Sequence, residues 1–310
     1  MKYAFVFPGQ ASQFVGMGKD LYDAFAVAKT YFDQANDILG FDLKTICFEG
    51  PEEELKQTYV TQPAIYVHSA IVSRILKDEY GMQAHGVAGH SLGEYSALFA
   101  AGSLSFEDGL KLVQIRGRLM HESGKKMPGT MAALIGLSEE QVAEVCRKAA
   151  AFGTIQPANF NSPGQIAVSG DVQAVHKAIE IAKEMGARKA VELVVSGAFH
   201  SPLMQHAQQG LQTALKQTEI KDAQVPLYAN VTGLPLTEAG QIKDHLFKQL
   251  TSPVLWQKSM ENMIADGFEQ FYEIGPGKVL TGLLKRINRQ VPCKPVGTVE
   301  QIKALGENNG

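Results

Sequence analysis

The chain has 310 residues, 45% hydrophobic and 20% charged, which suits a globular protein with a large core. Its net charge of -3 gives no sign of a nucleic-acid partner or an anionic membrane surface. Cys47, Cys146 and Cys293 fall at no metal-ligand spacing, and no apolar stretch approaches a membrane span, so the sequence predicts a cytoplasmic protein with free thiols. The opening run Tyr3 to Phe7 stops at Pro8-Gly9, too early for a signal-peptide core, and reads instead as a buried strand and a sharp turn. Helical patterns follow over 17–38 and over 62–79, the second opening at Thr61-Gln62-Pro63. Val87-Ala88-Gly89 ends another short strand, Leu92 to Ala101 is a helix rich in small residues, and Phe106 to Met120 is a further helix. Such alternation predicts a parallel sheet covered on both faces.

From about 129 the rhythm changes. Met131 to Leu137 is strand-like, Ser138-Glu139-Glu140-Gln141 opens a helix with a capping box, and two strands flank the turn Asn161-Ser162-Pro163-Gly164. Helix 172–185 and strand 190–195 complete a βαββαβ order, the ferredoxin-like unit. The sequence therefore predicts a small subdomain, 129–196, inserted between the two parts, 1–128 and 197–310, of a larger sheet subdomain. Later strands are expected near 225–230 and 268–274, with helices near 201–217, 239–249, 256–265 and 278–287 and a frayed tail beyond Gln301.

Gly89-His90-Ser91-Leu92-Gly93 fits G-x-S-x-G between a strand and a helix, the setting of a nucleophile elbow. The same Ser91 also fits a plain helix cap, because Ser91-Leu92-Gly93-Glu94 reads S-x-x-E; a cap, however, needs neither glycine. A serine nucleophile needs a base. Of eight histidines, His200 sits in a strand-to-helix loop that should share the sheet edge with Ser91, and His206, in the following helix, is the runner-up. His121 is expected to close the helix that begins at Phe106. On that helix Arg116 falls within an apolar stripe, where a guanidinium is costly unless it meets an anion. The anion is either a structural carboxylate or a substrate carboxylate held at two points. The backbone N–H groups of Gln10, after the first strand, and Leu92, after the serine, could form an oxyanion hole.

These residues lie in six segments in order: Phe7-Pro8-Gly9-Gln10, Gly89 to Glu94, Gln114 to Arg118, Asn159 to Gln165, Ser196 to Ser201 and Glu273 to Lys278. Together they make the chain resemble the malonyl-CoA:acyl carrier protein transacylases of type II fatty-acid synthesis over nearly its whole length. The resemblance implies an α/β-hydrolase-like large subdomain, with malonyl-CoA and an acyl carrier protein as partners and no metal or redox cofactor. It implies Ser91 as nucleophile, His200 as base, Arg116 as the clamp on the free malonyl carboxylate, and Gln10 and Leu92 as oxyanion donors. It also implies that the backbone carbonyl of Gln249 orients the histidine, in place of an acid. Leu92 and Phe199 are similar to the malonyl-selective members, with Phe199 beside the substrate. One position departs from the family pattern: Ala11 stands where a second glycine is usual, and a positive φ there would strain the loop. The remaining rivals are a stand-alone loading enzyme of polyketide synthesis, chemically identical, a serine thioesterase or esterase, which has no use for Arg116, and a non-catalytic carrier-binding scaffold, which would not need Ser91 and His200 together. The exposed-looking pairs Arg188-Lys189 and Lys285-Arg286 are candidates for docking an acidic carrier.

Overall fold

The computed structural model describes residues 1–307. Its strands in chain order are β1 (Tyr3–Phe7), β2 (Gly86–Gly89), β3 (Gly129–Ile135), β4 (Ile155–Ser162), β5 (Gln165–Asp171), β6 (Lys189–Glu192), β7 (Leu227–Tyr228), β8 (Pro235–Leu236), β9 (Gln270–Ile274) and β10 (Cys293–Val296). They form two sheets. The larger runs β10-β9-β1-β2-β7-β8, and every pairing in it is parallel except the antiparallel β7–β8 edge. The smaller is antiparallel throughout, in the order β4-β5-β3-β6. Taken with its two helices, that is the strand order of the ferredoxin-like unit expected from the sequence.

Alternation along β1 shows why it lies at the centre. Phe5 and Phe7 pack on one face, in the main core with helix Thr58–Tyr80. Ala4 and Val6 pack on the other, in a second core with Trp256, Phe268 and Phe271. A strand buried on both faces belongs in the middle of a parallel sheet. The small sheet has its own core of Leu134, Val142, Val168, Val175 and Ile181. The small sheet is tied through β4 to the segment before helix Trp256–Ala265: Phe160 N–H donates to the Val254 carbonyl at 2.9 Å, and Val254 N–H to the Ala158 carbonyl at 2.8 Å.

Several boundaries differ from the sequence reading. The pattern over 17–38 is two helices, Lys19–Ala24 and Ala26–Leu39, broken where Phe25 adopts an extended backbone. Helix Thr58–Tyr80 begins before Pro63 and contains it. Its length is set by burial rather than by the proline, since the residues from Val60 to Val72 are all buried. Helix Phe106–Lys126 runs a turn and more past His121, ending on Lys125 and Lys126, which suit the negative end of the dipole. Strand β6 stops at Glu192, so 193–196 is not strand. The tail is helical from Val299 to Glu307 with Ile302 and Leu305 buried, not frayed from Gln301. The last three residues of the tail, 308–310, lie outside the described residues. Among the described residues, no helix is long and apolar enough to cross a membrane.

Candidate active site

The carboxyl edge of the large sheet carries the site. Parallel register places Phe7 of β1 beside Gly89 of β2, so the two turns leave the sheet side by side, with His90 N–H donating to the Phe7 carbonyl at 2.9 Å. The glycines of the elbow are required by contact. A Cβ on Gly89 would lie 1.9 Å from the Gly93 carbonyl carbon, and one on Gly93 would lie 2.1 Å from the Phe7 carbonyl oxygen. Gly9 is confined in the same way, 2.5 Å from the His90 carbonyl oxygen. Ser91 itself has φ 51, a left-handed conformation that L-residues adopt only under compulsion.

Ser91 is not the helix cap. Helix Gly93–Ala100 begins after Leu92, and the Glu94 side chain turns away to the backbone N–H of Asn230. The Ser91 hydroxyl instead meets His200 Nε2 at 2.9 Å and accepts from Arg116 Nη2 at 3.0 Å. On the far side of the imidazole, Nδ1 donates to the Gln249 carbonyl at 2.8 Å. A carbonyl can only accept, so this contact fixes the tautomer and leaves Nε2 free to take the serine proton. Burial, and then the Arg116 charge, push the His200 pKa down to about 3, so the ring is neutral throughout the neutral range. His200, like Ser91, has a positive φ of 57. Its own carbonyl is held by Gln156 Nε2 of β4 at 2.7 Å, so the small sheet supports the histidine loop. His206 is exposed and bonds Lys126 at 2.8 Å, away from this cluster.

Arg116 is wholly buried, yet no carboxylate touches it among the described residues. Nη1 donates to Gln62 Oε1 at 2.7 Å, Nη2 donates to Gln249 Oε1 at 2.9 Å as well as to Ser91, and Nε has no partner. The Tyr95 ring lies 5.5 Å from the guanidinium carbon. A buried cation held by neutral acceptors, with donors to spare, is suited to receive an anion within reach of the serine. The structural-carboxylate alternative for Arg116 finds no residue to serve it directly.

Gln10 reaches the same cluster through its side chain, with Gln62 Nε2 donating to Gln10 Oε1 at 3.3 Å. Among the described residues, neither the Gln10 nor the Leu92 backbone N–H has a hydrogen-bond partner. Ala11, next to Gln10, has φ 75, so this position does adopt the conformation that favours glycine. Phe199 is buried against the main core beside His200.

Residues 4–306 match the family described as acyl transferase domain. The chain belongs to that family. It is 46% identical over 303 residues to the malonyl CoA-acyl carrier protein transacylase of Bacillus subtilis (strain 168), covering 97% of this chain and 95% of that one. With the transacylase of the same name from Escherichia coli (strain K12) it shares 43% over 286 residues, 92% of this chain and 93% of that protein. The solved acyl-carrier-protein S-malonyltransferase of Bartonella henselae superposes with a TM-score of 0.96 at 43% identity, over 99% of each chain. A malonyl-transacylase solved in complex with a type II PKS acyl-carrier protein gives 0.96 at 40% identity over 100% of both chains.

Sequence reasoning missed four polar residues of this acyl transferase's site: Gln62, Glu94, Asn230 and Gln156. Asn230 Oδ1 accepts from the Ser91 N–H at 2.7 Å, and Asn230 Nδ2 donates to the Gly89 carbonyl at 2.6 Å. The signal for Glu94 and Asn230 was a polar residue within or just after an otherwise apolar element; Gln62 and Gln156 carried none.

Proposed function

We propose that this acyl transferase moves a malonyl group from malonyl-CoA to the phosphopantetheine thiol of an acyl carrier protein, through a malonyl ester on Ser91, in fatty-acid synthesis. The observation that carries the proposal is the buried guanidinium of Arg116, touched by no carboxylate among the described residues and 3.0 Å from the Ser91 hydroxyl. A free carboxylate one short acyl chain away from the ester carbon is the group that such a cation would select.

His200 Nε2 takes the hydroxyl proton as Ser91 Oγ bonds the thioester carbon. The oxyanion of the tetrahedral adduct accepts from the N–H groups of Gln10 and Leu92. Its collapse breaks the carbon–sulfur bond, and the coenzyme A thiolate leaves with the proton from His200. The carrier thiol then gives its proton to His200 and attacks the ester, and the same steps in reverse release Ser91. The Gln249 carbonyl keeps the imidazole aligned throughout. Phe199 lines the acyl side of this path, and no step needs a metal or redox cofactor. Residues 1–128 and 197–310 serve as the catalytic subdomain and 129–196 as the small one, a division supported by their separate sheets. The exposed pairs Arg188-Lys189 and Lys285-Arg286 are assigned to carrier docking, and the enzyme to the cytoplasm.

A second reading has one observation behind it. The structural neighbour that binds a type II PKS carrier is as similar in fold as the others. The chemistry is the same there, and only the carrier differs. The test of the transfer itself is intact mass measurement after incubation with malonyl-CoA, for the wild type and Ser91→Ala. The wild type should gain one malonyl group, discharged by a holo carrier, and the variant none. A variant that still acquires the group at this peptide would dismiss the mechanism.

A further inference from the structure

Glu94 is fully buried one helical turn from Ser91, and both of its oxygens are taken by amides. Oε1 accepts from the Asn230 N–H at 2.9 Å, and Oε2 accepts from Gln249 Nε2. The same two residues in turn hold Ser91 and Arg116. Gln249 Nε2 also donates to the Ser91 carbonyl at 3.0 Å, while its Oε1 holds Arg116 at 2.9 Å. Asn230 grips the Ser91 N–H and the Gly89 carbonyl. An ionised carboxylate can only accept hydrogen bonds, so it decides which end of the Gln249 amide faces it. With Nε2 turned to Glu94, Oε1 must turn to Arg116.

We propose that Glu94 is a positioning residue for acyl transfer: its carboxylate locks the side-chain amide of Gln249 and the backbone of Asn230, and through these two residues sets the Ser91 backbone and the Arg116 fork. The inference rests on the serine-acylation reading above.

A residue that merely fills space would not carry a charge here, because burying one without a direct ion pair is costly. The charged and titratable groups around Glu94 are Arg116 from helix Phe106–Lys126, Tyr95 on its own helix and, across Gln249, His200. Helix Thr58–Tyr80 contributes only the neutral Gln62 to this cluster. Burial pushes the Glu94 pKa up to about 7, against the pull of its amide donors and Arg116. His200 stays unprotonated down to about 3. As pH falls through neutrality Glu94 therefore gains a proton while the base does not. The new hydroxyl is a donor facing a donor, and the lock on Gln249 loosens.

The experiment measures kcat and kcat/KM for acylation by malonyl-CoA and by acetyl-CoA across the neutral range, for the wild type, Glu94→Gln and Glu94→Asp. Wild-type kcat should fall on the acid side of about pH 7 with either donor, while KM rises for malonyl-CoA and stays little changed for acetyl-CoA. Glu94→Gln should keep its melting temperature, react roughly tenfold to a hundredfold more slowly with both donors, and lose the acid limb. Glu94→Asp keeps the charge and should retain the limb at a reduced rate. An acylated wild type whose limb survives in Glu94→Gln, or a Glu94→Gln enzyme at the wild-type rate, overturns this inference alone. A wild type that forms no ester with either donor overturns the transfer reading and this inference with it. Should Glu94→Gln fail to fold, carbon NMR of the wild-type glutamate carboxyls decides: one must titrate with the kinetic midpoint, and none doing so refutes the role.

Discussion

Replacing Arg116 with alanine should separate malonyl transfer from acetyl transfer. The guanidinium is held by Gln62, Gln249 and the Ser91 hydroxyl at 2.7–3.0 Å, all neutral acceptors. A malonyl carboxylate would replace neutral partners with a charged one in a desolvated pocket. Truncating one member of such a pair costs about 3 kcal/mol, or roughly 150-fold in kcat/KM. Acetyl has no carboxylate to lose, and two smaller effects then oppose each other. Removing Nη2 strips a donor from Ser91 Oγ, which slows attack. Removing the cation also lets the His200 pKa rise from about 3, because Arg116 is the second cause of its depression, and a more basic imidazole is the better base. Acetyl transfer should therefore change only severalfold, in either direction. Acylation by the two donors, followed side by side by quenched intact mass measurement, reads the ratio directly, and a melting curve controls for folding. Arg116→Lys should recover only part of the malonyl rate, since an ammonium lacks the planar two-point grip. An equal loss for both donors with a lowered melting temperature would mean that Arg116 is structural, and the clamp would be wrong.

His200→Ala should cut acylation by orders of magnitude with either donor, while His206→Ala, at an exposed residue bonded to Lys126, should stay near the wild type; the reverse pattern would exclude His200 as the base. Ala11→Gly should stabilise the protein against urea by about 0.5–1 kcal/mol, because φ 75 costs an L-residue roughly 1–2 kcal/mol and glycine's greater freedom when unfolded returns only part of it. A destabilised Ala11→Gly would show that packing of the methyl outweighs the backbone term. Reversing the charges of Arg188, Lys189 and Lys285, all exposed, should raise KM for the carrier and leave that for malonyl-CoA unchanged; unaltered carrier kinetics would remove this docking surface.

What could be read from the sequence was what local chemistry dictates. The strand at residues 3–7, the G-x-S-x-G turn and the βαββαβ order depend on turn residues and side-chain period, and each is present as expected. Boundaries failed where tertiary burial outweighed local signals. Pro63 looked like a helix start but lies inside helix Thr58–Tyr80, buried together with the residues on either side of it. The tail looked polar and frayed, yet Ile302 and Leu305 are enough to dock a last helix. Strands β8 and β10 are short edge strands with little pattern of their own. In the site, residues with a motif around them were visible, and those recruited from distant segments were not. Gln62 stands 54 positions from Arg116 and Gln156 stands 44 from His200, and a single amide carries no period that would announce such a contact.

The interlocked glycines of the elbow have a consequence for changing what this enzyme accepts. Gly9, Gly89 and Gly93 each face a backbone atom at 2.5 Å or less from where a Cβ would sit. The turn that carries the Ser91 hydroxyl is thus fixed by main chain packed against main chain, and at these three glycines there is no side chain to trim or enlarge. Directed evolution toward other acyl groups has no room at this turn, and variants surviving there should be rare. On the proposed mechanism, tolerated diversity must instead come from Arg116, Gln62 and Phe199, around a Ser91 hydroxyl that stays fixed.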